Sequence, residues 1–158
     1  MNRRTCHLLA VMALCIGFAA GCEIDVDTDP MDVEFFPAGG DEMRALPFSE
    51  AVRVGRTLYL SGQIGTVAGK VELAPGGIGP ETRQTLDNIE AVLARAGAGL
   101  SDVVKCTVFL ADIAEWPAMN EVYVQYFESP YPARSAVAGS GLALDARVEI
   151  ECIAVLPE

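Results

Sequence analysis

Apolar and polar positions alternate with period two in several short stretches of this chain, and recur with a helical period in two longer ones. Thr57-Leu58-Tyr59-Leu60-Ser61-Gly62-Gln63 predicts a strand, preceded by Ala51 to Val54 and a turn at Gly55-Arg56. Gly65 to Lys70 reads as another turn. The loop Pro75-Gly76-Gly77-Ile78-Gly79-Pro80 hands over to a helix over 80–96, whose residues Leu86, Ile89, Leu93 and Ala96 fall on one face and which Gly97 ends. Val103 to Leu110 is a β-branched run and predicts a strand. A second helix is expected from Pro117, with Met119, Val122, Tyr123 and Tyr126 as its buried side. Ala133 to Ala138 and Arg147 to Leu156 are the last two strands, separated by a turn over 139–145. The order β-β-(β)-α-β-α-β-β implies an α+β layer, a mixed sheet with both helices on one face.

The first residues follow a different pattern. Arg3 and Arg4 precede an apolar run from Leu8 to Phe18, and Ala19-Ala20-Gly21 precede Cys22. This is the layout of an export signal over 1–21, too short for a comfortable membrane span of roughly 20 residues. It resembles the bacterial lipoprotein signal, with Ala19 where Leu is usual, and implies lipidation of Cys22 and a membrane-anchored, exported chain. Residues 23–34 carry six acids and no base. They fail the EF-hand pattern at Pro30, and are expected to be a solvated tether over 22–43, with the folded domain at 44–158.

Composition then changes the picture in two ways. The 158 residues are 51% hydrophobic and 21% charged, enough apolar content for one domain of ordinary size. Lys and Arg number 11 against 22 Asp and Glu, a charge of -11 that argues against nucleic acid as a partner. Loss of residues 1–21 removes Arg3, Arg4 and the only histidine, His7, leaving 137 residues with a balance of -13. Of five cysteines, Cys6 and Cys15 leave with the signal. Cys106 and Cys152 are expected to be free buried thiols, because strand-centre pairs rarely have disulfide geometry. Their spacing is not that of a metal site.

Without histidine there is no Ser-His-Asp or Cys-His pair, and Gly76-Gly77-Ile78-Gly79 lacks the remainder of a phosphate-binding loop. Two positions stand out. Arg134 opens a strand of small and apolar residues, and Glu149 and Glu151 alternate with Val148, Ile150 and Cys152. A structural Arg-Glu pair or solvent-facing acids would account for them. So would a guanidinium that grips a substrate carboxylate beside a carboxylate that handles protons.

Several blocks containing these residues resemble the RidA family, also called YjgF/YER057c/UK114: Pro47-Phe48-Ser49-Glu50-Ala51-Val52, Leu60-Ser61-Gly62-Gln63-Ile64, Thr82 to Ile89, Asp102 to Leu110, Met119-Asn120-Glu121-Val122-Tyr123, Pro132-Ala133-Arg134-Ser135 and Val148-Glu149-Ile150-Glu151. The resemblance covers residues 44–156. It implies a chorismate-mutase-like α+β fold, a homotrimer with sites between subunits, and cofactor-free hydrolysis of 2-imino or 2-enamino acids to 2-oxo acids and ammonia. It implies that Arg134 holds the substrate carboxylate, that Glu149 positions or activates water, and that Ser61, Gly62 and Asn120 line the pocket. Phe48 stands where many members have Tyr, and Ala136 where many have Cys. A non-catalytic binder of 2-oxo acids on the same scaffold is the alternative. A ribonuclease activity, also attached to the family, sits poorly with the acidic balance.

Overall fold

The computed structural model describes residues 32–38, 46–67 and 70–157. The expected signal over 1–21, Cys22 and residues 23–31 of the expected tether lie outside the described residues.

Alternating strands make one mixed sheet. Among the described residues it comprises β1 (Val33–Pro37), β2 (Ser49–Val54), β3 (Thr57–Leu60), β4 (Gln63–Ile64), β5 (Val103–Leu110), β6 (Ala133–Ala138) and β7 (Val148–Val155). The order across the sheet is β1-β2-β3-β7-β5-β6, with the two-residue β4 also paired to β7. Only β5 and β6 run parallel, because α2 (Trp116–Tyr123) lies between them in the chain and supplies the crossover. The expected strand over 57–63 is interrupted at Ser61-Gly62, so that its far end pairs with β7 further along.

Apolar periodicity places α1 (Ile78–Arg95) on the sheet. Leu86, Ile89 and Leu93 are fully buried and Ala96 nearly so. They meet Leu58, Val108, Leu110, Val148 and Ile150 from the sheet and Met119 from α2. Such side chains contribute about 1.5–3 kcal/mol each on burial. Gly97 ends the turn after α1 at φ 77, a conformation that suits glycine. Inside α1 the Glu81 side chain is buried and accepts the Arg147 N–H at 2.6 Å, tying the helix start to the entry of β7.

Three expectations change. The folded chain begins before residue 44. Val33–Pro37, assigned by its acidic surroundings to the tether, is the edge strand, paired antiparallel with β2 and anchored by the Arg53–Glu34 ion pair. The α2 helix ends at Tyr123, so Tyr126 lies beyond it and is half-buried, its hydroxyl donating to Asp87 Oδ1 at 2.6 Å. Cys106 and Cys152 are not free thiols: they form a disulfide. The register sets them directly opposite each other on β5 and β7, with Cα atoms 4.2 Å apart. That is the spacing of a non-hydrogen-bonded antiparallel pair, where side chains approach most closely.

Candidate active site

Arg134 is the second residue of β6 and aligns in parallel register with Cys106, which faces the helices. Its guanidinium therefore lies on the helix side of the sheet, 4.5 Å from the Tyr123 ring centre and 6.0 Å from that of Trp116. The aromatic faces stabilise the cation without consuming its N–H donors. Among the described residues no ion pair or hydrogen bond engages the Arg134 guanidinium. The other arginines with ion pairs are held by Glu34, Glu50 and Glu115. Arg134 is thus a positioned guanidinium whose planar fork is open to a carboxylate.

Residues 116, 120 and 123 follow an i, i+4, i+7 spacing, so Trp116, Asn120 and Tyr123 form one stripe along α2. The Asn120 Oδ1 and Tyr123 hydroxyl are buried with no hydrogen-bond partner among the described residues. Burial pushes the Tyr123 phenol up to about 12, with Arg134 opposing the rise, so it keeps its proton at neutral pH. A cavity of about 520 Å³ opens here, lined by Ile113, Ala114, Trp116, Pro117, Arg134 and Ala136.

Glu149 belongs to the other face. It follows Val148 and precedes Ile150, both buried under the helices, and it pairs across β5 with Phe109. Its carboxylate rests on the Gly62 backbone so closely that a Cβ at residue 62 would fall 1.9 Å from Oε1. Glycine is required there for that approach. Next to it, the Ser61 hydroxyl donates to the Ser49 carbonyl at 2.7 Å, closing the β2–β3 end beside Phe48, which is half exposed. Partial burial, and secondarily Glu151 on the same strand, push the Glu149 carboxyl above its ordinary value.

The candidate residues thus fall into two groups. Arg134 and Ala136 lie on the helix side, the side of Asn120 on α2, whereas Glu149 lies on the other against Gly62, next to Ser61, with Phe48 preceding β2. Register separates Arg134 from Glu149 by three residues along β5, about 10 Å at strand rise, and the two point to opposite sides of the sheet. No single chain brings them together. Of the two structural explanations open from the sequence, an Arg134–Glu149 pair within the chain is therefore excluded. Trp116 and Ile113 were not among the residues singled out by sequence. The signal that could have found Trp116 is its spacing from Asn120 and Tyr123.

Comparison with known proteins shows the family. The family model described as Endoribonuclease L-PSP matches residues 41–156. The goat (Capra hircus) protein named 2-iminobutanoate/2-iminopropanoate deaminase is 50% identical over 109 residues, 69% of this chain and 80% of that relative. The human protein of the same name is 45% identical over the same shares. Among solved structures, RidA from the Antarctic bacterium Psychrobacter sp. PAMC 21119 superimposes with a TM-score of 0.68 at 37% identity, covering 81% of this chain and 99% of that one. A YjgF/YER057c/UK114 family member from Mycobacterium tuberculosis gives 0.68 at 31% identity, covering 79% of this chain and 100% of the other. A matched segment of this extent, and identity of this level over most of the relatives' length, place the chain in the RidA, or YjgF/YER057c/UK114, family.

Proposed function

We propose that this protein hydrolyses 2-imino and 2-enamino acids to 2-oxo acids and ammonia. The observation that carries the reading is Arg134, held by Tyr123 and Trp116 with its donors unspent in the lining of an open cavity. The deaminase names of relatives 45–50% identical support it.

Arg134 binds the substrate carboxylate and fixes the adjacent C=N carbon. A water whose proton passes to Glu149 adds to that carbon and gives a carbinolamine. Glu149 returns that proton to the nitrogen, and the carbinolamine hydroxyl then gives up its own proton to the departing nitrogen as the C–N bond breaks, so that ammonia leaves and the C=O of the 2-oxo acid forms. Imines hydrolyse readily in water, so orientation of two reactants supplies much of the acceleration. Since Arg134 and Glu149 lie on opposite faces, the complete site takes Arg134 with Asn120 from one chain and Glu149 with Ser61 and Gly62 from another. A cyclic homotrimer satisfies this requirement at each of its interfaces. The helix-free face of the sheet supports it, since Tyr59 and Val137 are about half exposed there.

An imine made from alanine by an amino-acid oxidase is expected to decay faster with the protein than in buffer. Equal, negligible acceleration by wild type and Arg134→Ala would remove the enzyme reading. Stabilisation by 2-oxo acids without turnover would leave a binding protein.

Glu149 provides a pH test. As the base it must be ionised, and its raised folded-state value puts the acid limb of kcat/KM above the pH of an ordinary glutamate. A carboxyl raised on folding stabilises below its unfolded value, and that stability is lost as pH rises through its folded value. Glu149→Gln is therefore expected to lower kcat by about 10²-fold or more while raising the melting temperature at neutral pH. That thermal gain should vanish in acid. A variant that is less stable at neutral pH would contradict the direction of the shift.

The chain is further proposed to be an exported lipoprotein anchored through Cys22. The Ala20-Gly21-Cys22 pattern supports this, as does a disulfide, a bond rare in reducing compartments. Mass spectrometry of the mature N-terminus should find an acylated Cys22; an unprocessed Met1 would count against it.

A further inference from the structure

The helix-free face of the sheet carries a pair of charges that the reaction does not use. On β5 the residues Lys105, Thr107 and Phe109 point away from the helices, opposite in parity to the buried Cys106, Val108 and Leu110. Strand register lays Ser135 of β6 on one side of Thr107 and Glu151 of β7 on the other. The Lys105 ammonium donates to the Cys106 carbonyl at 2.7 Å and to the Thr107 and Ser135 hydroxyls at 3.3 and 3.4 Å. All three of its protons thus go to uncharged acceptors. Among the described residues neither Lys105 nor Glu151 takes part in an ion pair. The face around this strip is largely apolar, with Tyr59 and Ile153 to one side and Phe109 and Val137 to the other. A second copy covering the face would bury one cation and one acid from each chain. A buried charge left uncompensated is strongly unfavourable, and the cation of one chain set beside the acid of the next leaves none. Resting on the two-chain reading of the site, we propose that Lys105 of one copy pairs with Glu151 of the next, a second charge contact that docks Arg134 onto Glu149.

The separations of the two cations and the two acids agree. Lys105 aligns with Ala133, so Arg134 lies one strand over and one residue along, about 6 Å away between Cα atoms. Glu149 and Glu151 are two residues apart on one face of β7, about 7 Å. β6 is the edge of the sheet, so only that edge parts Arg134 on the helix side from Lys105 on the free side. A neighbouring copy whose β7 lies along this edge meets two cations with two acids at matching separation. The Thr107 and Ser135 hydroxyls accept from Lys105 and keep their own protons for the incoming carboxylate. A diagonal pair within one chain is the competing arrangement, since Lys105 stands opposite Ile153, two residues from Glu151. The ammonium turns the other way, toward β6 and Ser135. In a cyclic trimer the same pair recurs at every interface.

The test uses the whole protein and reads its assembly by analytical ultracentrifugation. Lys105→Glu and Glu151→Lys should each raise the concentration at which trimers dissociate by about 10²-fold or more, because each sets like charges together at every interface. Both changes in one chain should bring it back to within about tenfold of wild type. Imine hydrolysis by the single variants should be lost on dilution and return as their concentration rises, which a locally misfolded site would not do. Wild-type trimers assembled from isotope-labelled and unlabelled chains are then treated with a carbodiimide, which joins a touching amine and carboxylate as an amide and takes up the water released. A Lys105–Glu151 link between a heavy and a light peptide is the expected product. Links confined to heavy with heavy and light with light would place the pair inside one chain and overturn the proposal. Single variants as trimeric as wild type, or a double variant no better than either, would overturn it and leave the deaminase reading standing. A monomeric wild type overturns both the pair and the two-chain site. Heavy-to-light links in a protein that accelerates no imine would support the pair and remove the deaminase reading.

Discussion

Replacing Arg134 with alanine is expected to lower kcat/KM for imine hydrolysis by about 10²–10⁴-fold, since it removes two charge-assisted hydrogen bonds of roughly 1.5–3 kcal/mol each. Both bonds go to the carboxylate, and without them the C=N carbon is no longer held against the water. Arg134→Lys keeps the charge but not the fork, and should recover only part of the loss. The fold should survive either change, because the guanidinium rests on Tyr123 and Trp116 and no buried acid depends on it for neutralisation. A second measurement exposes the opposite-face geometry. Arg134→Ala and Glu149→Gln chains, each inactive alone, should regain activity when co-assembled. In randomly mixed trimers about a quarter of the interfaces join an intact Arg134 to an intact Glu149. Co-assembly without recovery would show that each site is made within one chain, contrary to the register that separates these residues.

Reduction of the Cys106–Cys152 bond is the second large effect expected. The bond closes a segment of 46 residues, and release of that constraint on the unfolded chain corresponds to about 4 kcal/mol in the chain-entropy description. For a domain of this size the melting temperature should fall by roughly 10–15 °C. The comparison is between the native protein and protein reduced while unfolded and returned to native conditions with reductant. The bond lies in the buried seam between β5 and β7, so reductant added to the folded protein should act slowly. Differential alkylation followed by peptide mass spectrometry would identify the pair. Recovery of both cysteines as free thiols from unreduced protein would refute the bond, and with it one support for an oxidising location.

Much of the site was legible as residue types. A charged residue at the start of a strand of small residues drew attention to Arg134, and acids alternating with apolar residues drew it to Glu149. What stayed hidden was the face each one serves. In β7 the contrast between Val148, Ile150 and Cys152 and the acids between them reveals which side is buried. In β6 the residues Ala133, Ser135, Ala136, Val137 and Ala138 differ too little in polarity for either parity to stand out. The side taken by Arg134 is settled by its parallel pairing with β5, a contact 28 residues away along the chain.

Local pattern was enough for the two helices, the main strands and the α+β layering, because periodic apolar positions must be buried together wherever the elements meet. It was also enough to single out the guanidinium and the carboxylate as candidates for chemistry. It could not show that Val33–Pro37 joins the sheet, since the acids around it outweigh a short apolar alternation until β2 offers an edge. Nor could it pair Cys106 with Cys152, or set Tyr123 and Trp116 against Arg134. Those contacts depend on strand register and on the seating of α2, which no stretch of local sequence encodes. For the same reason the chain carries both candidate groups in plain sequence, while packing places them on opposite faces of the sheet, the arrangement on which the proposed two-chain site rests.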